Sequence, residues 1–377
     1  MAAHRSGVKV RLSTVMTGRQ RVVNLLRGQQ FDRQPLFDAI RNDRILEYFA
    51  AEPLTYENAE RVCCIAHARA VDSTRMIPKR PVPPMTDVLP DGRQAKYERW
   101  TRWVEHRSYE SLEQYIRVKE KLLEGPIFSE EELQEARAVI AEYVRIERQY
   151  LRDIAFFWGF GVHDKHQFGV GCRSLQGYFL TDLYEEVGLD RFFLFQYDAP
   201  ELISALLERQ FARSVEMIKL LPDGQDRPLG LFIADDLAYK QGPFASPKFF
   251  EKEYWPGLKR VCDAAHERGL YVMFHTDGDL TLLIDGLVGA GIDILNPLEK
   301  VPFHIKQIHQ RHPRLVLSGG IDVSHLLPYG KPAEIIDAVH KAIDDAEGRI
   351  LIGSSSIVTN NIPLENFLAM RRAVGAG

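Results

Sequence analysis

Four ionisable residues stand directly after two apolar runs in the second half of the chain. His275 and Asp277 follow the run YVMF, and Asp235 and Asp236 follow the run LGLFIA. An imidazole exchanges protons near neutral pH, and carboxylates either exchange protons or bind cations. Capping a helix needs one carboxylate, whereas two adjacent carboxylates repel each other. We therefore predict that His275, Asp235, Asp236 and Asp277 are catalytic.

Three further apolar runs also end in polar residues. Asn296 and Glu299 follow the run IDIL, Asp322 follows RLVLSGG, and Ser354 and Ser355 follow RILIG. These side chains bring hydrogen-bonding groups and charge to the ends of successive segments, and we predict that they bind substrate. Simpler explanations stay open, because an acid at such an end often caps a helix and serines are common in turns.

Two glycines and a loop with two histidines complete the candidate site. Gly319 and Gly320 either relieve crowding in a turn or let the backbone approach an anionic ligand. The segment GVHDKHQFGVGC contains His163 and His166 with a carboxylate between them. This spacing suits a metal ion or a proton relay, and it also suits a solvated loop. We include these four residues among the predicted substrate-binding groups, and we expect Asp279 to cap the helix after YVMFHTDG.

The elements that position these groups follow from an alternation of apolar runs and amphipathic segments after Arg152. The runs read as buried strands: IAFFWGF, LGLFIAD, YVMFHTD, IDILNP, RLVLSGG and RILIGS. Helical segments separate them, which is typical of a parallel sheet covered on both faces. With two strands predicted near Pro35 and Ser73 the count reaches eight, the number that closes a (β/α)8 barrel. In that fold the active site lies at the carboxyl ends of the strands.

The first 150 residues contain an insertion. Asp91–Gly92 is a hairpin signal within a proline-rich passage, and two surface helices joined near Gly125–Pro126 are predicted to follow it. We predict one domain over residues 1–377. Its fold class is α/β, a (β/α)8 TIM-type barrel with an N-terminal helical and hairpin insertion at residues 78–150.

The composition limits the class of protein. Hydrophobic residues make up 45% of the 377, and the formal net charge of -4 gives no basic surface for nucleic acid or an anionic membrane. No apolar stretch approaches the roughly 20 residues of a membrane helix. The N-terminus lacks the apolar core of a secretory signal, and the four cysteines show no CxxC spacing. We predict a cytoplasmic protein with reduced thiols that acts on a small-molecule substrate.

The order of several segments resembles the uroporphyrinogen decarboxylase superfamily, which also includes corrinoid-dependent methyltransferases. TGRQRVVNLLRGQQFDRQPL is similar to the family's first helix and strand entry, and ADDLAYKQGPFASPKFFEKEYWPGLKRV to its Asp-Asp segment. FHTDGDLTLLIDGLVGAGIDILNPLE is similar to its His-x-x-Gly block. LSGGIDVSHLLPYG and ILIGSSSIVTNNIPLENFLAM are similar to its last two strand blocks. The resemblance spans the chain and implies a (β/α)8 barrel with a deep cleft at the carboxyl ends of its strands.

The chain departs from the decarboxylase branch where that branch binds its substrate. Uroporphyrinogen decarboxylases hold substrate carboxylates with an Arg-Gln-Ala-Gly-Arg stretch after the first strand. The corresponding segment here, PLFDAIRNDRILEYF, keeps Arg41 and Arg44 without the glycine motif. A substrate with many carboxylates needs several fixed cations, so this departure places the chain nearer to the methyltransferase branch.

The chain also departs from the methyltransferase branch, at the metal ligands. That branch binds zinc through a His-x-Cys pair and a later Cys, which correspond here to His275, Asp277 and Ser354. Loss of both thiolates favours oxygen-rich coordination of a divalent ion over zinc. The resemblance therefore implies a metal site made by His275 and Asp277 together with Asp235 or Glu299.

Three hypotheses of function are compatible with these residues. The first is a methyltransferase that moves a methyl group between a small methylated substrate and a corrinoid carried by a partner protein. The second is a decarboxylase, of uroporphyrinogen type or of a smaller acid, in which Asp235 or Asp236 stabilises a cationic intermediate and His275 or His163 delivers the proton. The third is a barrel that binds a ligand without turnover, which five polar strand ends disfavour. A homodimer is one assembly that the sequence leaves open.

Overall fold

The structure, a computed structural model, describes residues 15–89, 92–161, 164–171, 178–299 and 305–376. At its centre seven strands pair in parallel: Ser73–Arg75 (β1), Ala155–Trp158 (β2), Gly230–Ala234 (β3), Tyr271–His275 (β4), Ile294–Leu298 (β5), Val316–Ile321 (β6) and Ile350–Ser354 (β7). Their order in the sheet is their order in the chain, so each strand lies beside the next. This arrangement needs a crossover between every pair of strands, and the helical segments provide it.

The segment Leu36–Phe37 contacts both edges of this sheet. Leu36 forms a parallel bridge with Ile352 of β7, and Phe37 forms one with Ser73 of β1. The Phe37 N–H donates to Ile352 O (2.8 Å), and the Ser73 N–H donates to Leu36 O (2.9 Å). The predicted α/β class and seven of the predicted parallel strands are confirmed. Closure into a barrel of eight strands stays a prediction.

Both faces of the sheet are buried, which explains why the strands are continuous apolar runs. On the inner face a separate cluster takes residues from the segment before β1 and from the strands, namely Phe37, Ala155, Phe157, Phe232, Met273, Ile294, Val316 and Leu351. Val22 and Leu25 of the helix Gly18–Leu26 complete this cluster. The same helix contacts the residues that precede β1 and β2, since the Arg19 N–H donates to Asp153 O (2.9 Å). It therefore covers the amino-terminal end of the sheet.

The outer face packs against several of the helices that the structure describes, whereas Gly18–Leu26 contributes to the inner cluster. The helices are Gly18–Leu26, Asp43–Ala50, Ala59–Ala70, Leu112–Glu124, Glu130–Ile146, Lys165–Phe168, Leu180–Val187, Leu189–Asp198, Pro200–Leu220, Pro247–Phe249, Trp255–Glu267, Ile284–Ala290, Ile305–Arg311, Leu326–Tyr329, Pro332–Asp345 and Leu364–Ala373. Two π-helical turns, Glu147–Leu151 and Phe250–Tyr254, and one 3-10 turn, Gly224–Asp226, extend or join them. Two short strand pairs lie outside the main sheet: Ile40–Arg41 with Val358–Thr359, and Ala238–Tyr239 with Gly242–Pro243.

The region predicted as an insertion contains a three-stranded antiparallel sheet of Val82–Val88, Gln94–Arg99 and Thr101–Val104. The Leu89 N–H donates to Arg93 O (2.8 Å) at the predicted hairpin, whose Asp91 lies outside the described residues. Two helices follow, as predicted, Leu112–Glu124 and Glu130–Ile146, and the second buries one face. Its Tyr143 is buried and its ring stacks against Phe156 and packs on Trp158 of β2. The division into one domain of residues 1–377 with an insertion at 78–150 stays a prediction.

Two further observations concern the chain as a whole. None of the helices in the described ranges combines the length and the apolar content that a membrane crossing requires. Cys63, Cys64 and Cys262 are free and buried, and Cys172 lies outside the described residues.

Candidate active site

A polar layer lies directly beyond the apolar inner cluster. In β4, β5 and β6 an inner residue is followed two positions later by a polar one: Met273 by His275, Ile294 by Asn296, and Val316 by Ser318. Residues two apart in a strand point to the same face, so these polar side chains share the inner face at the carboxyl ends. His275 pairs in register with Asn296, and Asn296 Nδ2 donates to Ser318 Oγ (3.0 Å). The spacing that buries each strand also directs its polar end inward.

Two nitrogen atoms converge on the side-chain oxygen of Asn296. His275 Nδ1 lies 2.8 Å from Asn296 Oδ1, and Arg75 Nη1 lies 3.2 Å from the same oxygen and 2.6 Å from His275 Nδ1. If Nδ1 donates to Asn296, Nε2 presents a lone pair, and if Nδ1 accepts from Arg75, the proton is on Nε2. Burial and the positive charge of Arg75 lower the pKa of His275 well below its ordinary value. The imidazole is therefore neutral at pH 7.

Asp236 and Asp277 bring two carboxylates to the Nε2 side of His275. His275 Nε2 lies 3.9 Å from Asp277 Oδ1, and Asp236 Oδ1 accepts from the backbone N–H of Asp277 (3.1 Å). Burial, together with the charges of Asp236 and Glu299, raises the pKa of Asp277 to about 7. Burial also raises the pKa of Asp236. Within the described ranges, Asp277 Oδ1 is buried and has no hydrogen-bond partner.

These three residues have the geometry of a metal site. In the part of the chain that the structure describes, Asp236, His275 and Asp277 form one group whose ligand atoms lie within 4.8 Å of one another. A cation there would relieve the repulsion between the carboxylates and would give Asp277 Oδ1 a partner. One imidazole nitrogen and two carboxylates suit a divalent first-row ion. The group contains Asp236 in addition to the predicted His275 and Asp277, and it contains neither of the predicted alternatives Asp235 and Glu299.

Asp235 has different contacts from Asp236, its neighbour in the chain. Its oxygens accept from the backbone N–H groups of residues 179–181 (3.1, 3.0 and 2.7 Å) and from the hydroxyl of Tyr254. These N–H groups begin the helix Leu180–Val187, which has no side-chain cap of its own. Burial raises the pKa of Asp235 to about 6 against the effect of these donors. The contacts give Asp235 a structural role, and its catalytic role stays a prediction.

The histidine loop does not join this group. His166 Nε2 lies 3.0 Å from Asp87 Oδ2, and its ring packs edge-on against Tyr97, so its partners belong to the antiparallel sheet. His166 therefore contacts that sheet, and its role in substrate binding stays a prediction. His163 lies outside the described residues.

Local structure accounts for most of the remaining predicted substrate-binding residues. Asp322 Oδ1 accepts from the N–H of Ser324 (2.8 Å) and holds a turn, and Ser355 Oγ accepts from the N–H of Val323 (3.1 Å). Asp279 likewise holds a turn, through the Thr281 N–H, and the helix that it was expected to cap begins only at Ile284. These contacts favour the simpler explanation, backbone capping.

Backbone conformation explains why positions 319 and 320 are both glycine. Gly319 and Gly320 both have positive φ, +106° and +91°. A Cβ on Gly319 would lie 2.9 Å from the backbone nitrogen of Leu298 in the neighbouring strand. Only glycine avoids both the strain and the clash, so the residues are explained without an anionic ligand.

Two groups at the same end of the sheet were missed in the sequence. Asp38 is fully buried and accepts from the backbone N–H (3.0 Å) and the hydroxyl (2.8 Å) of Ser354, one of the predicted substrate-binding residues. Arg75 ends β1 and lies over the ring of Phe232 at 4.6 Å. Asp38 follows the apolar pair Leu36–Phe37 of the strand predicted near Pro35, so the rule that found His275 would have found it, whereas the short strand β1 has no apolar run that marks Arg75.

The chain was compared with known families and structures. A family model described as uroporphyrinogen decarboxylase (URO-D) matches residues 184–376. A methyltransferase from Methanosarcina mazei is similar over 96% of this chain and 98% of that one, with a TM-score of 0.66 and 17% identity. A putative vitamin-B12 independent methionine synthase from Listeria monocytogenes gives a TM-score of 0.41 and 10% identity over 90% of this chain and 95% of that one. A comparison with curated protein sequences gives no match. The likeness to the Methanosarcina mazei protein shows a shared fold.

Proposed function

The chain belongs to the uroporphyrinogen decarboxylase family, and from this premise we propose that it transfers a methyl group between a small methylated substrate and a corrinoid carried by a partner protein. The observation that carries the proposal is the group formed by Asp236, His275 and Asp277, whose donor atoms are close enough to share one cation. The fold shared with a protein named as a methyltransferase supports it.

The residues of the group would prepare a site for a divalent ion. When bound, such an ion would polarise the heteroatom that gives up or receives the methyl group. Asp236 and Asp277 would balance its charge, and His275 would face it with Nε2 in the tautomer whose Nδ1–H donates to Asn296 Oδ1. Ser318 accepts from the other end of the Asn296 amide and so keeps its oxygen toward the imidazole.

We infer in addition that Leu36–Phe37 completes a (β/α)8 barrel, because its bridges reach both edges of the sheet. In such a barrel the carboxyl ends of all strands face one side. Asp38 and Arg75 would then belong to the same rim as His275, in agreement with the contact between Arg75 and His275.

The test is metal content together with methyl exchange. We expect full-length protein purified without added ions to carry about one divalent ion per chain and to exchange methyl groups with methylcobalamin when a methylated donor is present. Asp236→Asn should lose the ion and the exchange. Asp279→Asn is the matched control, since Asp279 lies in the same loop and holds only a turn, and it should retain both. Metal-free protein that exchanges no methyl group would contradict the proposal.

A second candidate, a carboxy-lyase, is favoured by the pKa of about 7 at Asp277. Without a metal ion Asp277 would hold a proton at neutral pH beside the neutral His275. Loss of CO2 leaves its bonding electron pair on the substrate carbon, and Asp277 could protonate that carbon. The candidates differ in their response to EDTA, which should abolish methyl transfer and leave decarboxylation unchanged. CO2 release that Asp277→Asn abolishes would select the lyase, and ligand binding without either reaction would select a non-catalytic barrel.

A further inference from the structure

Arg75 is held beside the imidazole of His275 by contacts on two sides. Its Nη1 lies 2.6 Å from His275 Nδ1 and 3.2 Å from Asn296 Oδ1. Its guanidinium carbon lies over the ring of Phe232, 4.6 Å from the centroid, and the same ring packs against His275 with 5.6 Å between the centroids. Phe232 therefore supports both side chains, Arg75 through a cation–π contact and His275 through a ring contact. These contacts fix the approach of Arg75 to His275.

The contact between Arg75 and His275 permits only one arrangement of protons. A guanidinium carries hydrogens on every nitrogen and cannot accept a hydrogen bond. Because Nη1 lies 2.6 Å from His275 Nδ1, Nδ1 must be the acceptor, and the proton of the neutral imidazole then lies on Nε2. In this tautomer Nε2 presents a hydrogen toward the side where Asp277 Oδ1 lies, 3.9 Å away.

A metal ion in the group of Asp236, His275 and Asp277 needs the other tautomer. Histidine ligates a metal through an unprotonated nitrogen. Nε2 can offer its lone pair only when the proton lies on Nδ1, where Asn296 Oδ1 is 2.8 Å away and can accept it. A proton on Nδ1 would face an N–H of Arg75, and the two side chains would have to separate. The contact of Arg75 with Nδ1 and a cation on Nε2 therefore exclude each other.

The charge of Arg75 acts in the same direction. Within the described ranges no carboxylate lies within ion-pair distance of Arg75, so no fixed partner neutralises it. A divalent ion on Nε2 would lie across the imidazole ring from this charge, and like charges at such separations in a partly buried site repel each other. Asn296 Oδ1 has two lone pairs and can accept from both His275 Nδ1–H and Arg75 Nη1. Arg75 can thus keep one hydrogen bond when it moves away from Nδ1.

We propose that Arg75 controls metal binding, because it competes with a divalent ion for His275 by holding the imidazole in the tautomer that cannot ligate. Arg75 is then a positioning residue that acts through His275. A guanidinium stays charged at all ordinary pH values, so this competition, unlike competition by protons, does not fade as the pH rises. The inference rests on the proposed function for the metal ion, and it adds a resident cation that the ion must displace.

The tautomer of His275 can be measured without any metal. In full-length protein labelled with 15N-histidine and stripped of metal, long-range 1H–15N spectra identify the nitrogen that carries the proton, and His275→Gln assigns the signal. We expect Nε2–H in the wild type and Nδ1–H in Arg75→Met, which removes the donor to Nδ1 and leaves Asn296 Oδ1 as the acceptor. Nδ1–H in the metal-free wild type would overturn the proposal, whatever the variants show.

Titration with Mn2+ alone measures the competition. We expect calorimetry to show that Arg75→Met binds Mn2+ at least about tenfold more tightly than the wild type. Arg75→Lys retains a charged donor and should bind Mn2+ less tightly than Arg75→Met. Arg44→Met is the matched control, since it removes the same charge from an exposed position, and it should leave the affinity unchanged.

The outcomes of this titration separate the inference from the proposed function. If the wild type binds Mn2+ and Arg75→Met binds it no more tightly, the competition is overturned and the proposed metal site stands. If only Arg75→Met binds Mn2+, the competition is supported and the proposed function of the wild type is overturned. If neither protein binds Mn2+, the metal site and the competition are overturned together.

Discussion

The charged residues at the two ends of β1 have different kinds of partner, although only two residues separate Asp72 from Arg75. At the amino-terminal end Asp72 is saturated. Its oxygens accept from Arg21 Nη1 (2.8 Å), from Arg33 Nη1 and Nη2 (2.6 and 2.8 Å) and from the N–H of Leu36 (2.9 Å). At the carboxyl end Arg75 contacts a neutral imidazole and a neutral amide.

This difference in partners distinguishes a charge that stabilises the fold from a charge that can bind a ligand. A buried charge whose hydrogen-bonding capacity is filled by fixed partners holds segments together and has nothing left for a ligand. A charge whose direct contacts are neutral side chains keeps hydrogen-bonding capacity for a ligand. Barrel enzymes place residues of the first kind at the amino-terminal face and of the second kind at the carboxyl face. The contrast between Asp72 and Arg75 fits this division within a single short strand.

The largest effect is expected at the saturated end. Asp72→Asn should lower the free energy of unfolding by about 3–5 kcal/mol, because it leaves two arginines without their buried partner. Urea denaturation measures the loss, and metal content of the folded fraction should not change. Asp32→Asn is the control, since in the described part of the chain Asp32 forms an ion pair with Arg21 only and is more exposed, and its loss should be smaller. Equal losses would contradict a special role for Asp72.

The second-largest effect is expected at the carboxyl ends of the strands, where Asp236 lies. Asp236→Asn should weaken binding of a divalent ion by more than about 100-fold, beyond the loss typical of residues that only orient a ligand. Its free energy of unfolding without metal should not fall, because the substitution removes one of two carboxylates that repel each other. Titration with Mn2+ and urea denaturation measure the two quantities. A loss of stability as large as that of Asp72→Asn would remove the contrast between the two ends.

At the carboxyl end of the sheet, Asp235 resembles Asp72 in that fixed donors fill its hydrogen-bonding capacity. Tyr254→Phe removes one of the donors to Asp235 and should cost about 2 kcal/mol of stability, the value typical of hydrogen bonds to charged groups. Metal affinity should change little, since Asp235 holds the helix Leu180–Val187 rather than the ion. A large loss of metal affinity with unchanged stability would return Asp235 to the catalytic group.

The smallest effect is a change in pH dependence at Asp38. Burial raises the pKa of Asp38 to about 6, above its ordinary value, so between about pH 4 and pH 6 the folded protein holds a proton that the unfolded chain has released. Asp38 therefore lowers stability as pH rises through this window and changes it no further above it. Relative to the wild type, Asp38→Asn should gain Tm from pH 4 to pH 6 and then stay level. Parallel Tm curves would contradict the raised pKa.

Much of the sheet and part of the site could be predicted from the sequence. The strands are continuous apolar runs because both faces of the sheet are buried, and such runs can be recognised from consecutive residues alone. His275, Asp236 and Asp277 were predicted because each follows such a run directly. Arg75 was missed because β1 contains only three residues and has no apolar run to mark it.

Other assignments needed contacts that no local pattern contains. Asp235 and Asp236 are adjacent acids after the same strand, and only the approach of the helix Leu180–Val187 shows that the first is occupied. His166 looked like a ligand beside Asp164, but the hairpin brings Asp87 to it.

The sequence by itself determined the order of strands and helices, the family, and the polar strand ends, because periodicity and strand-end chemistry are local properties. Only the tertiary structure decided which charges are paired. Asp72 meets Arg21 and Arg33, whereas Arg75 meets an imidazole and an amide, and nothing in the residues next to them distinguishes the two cases. The energy of a buried charge depends on its neighbours in space, and those neighbours come from distant parts of the chain.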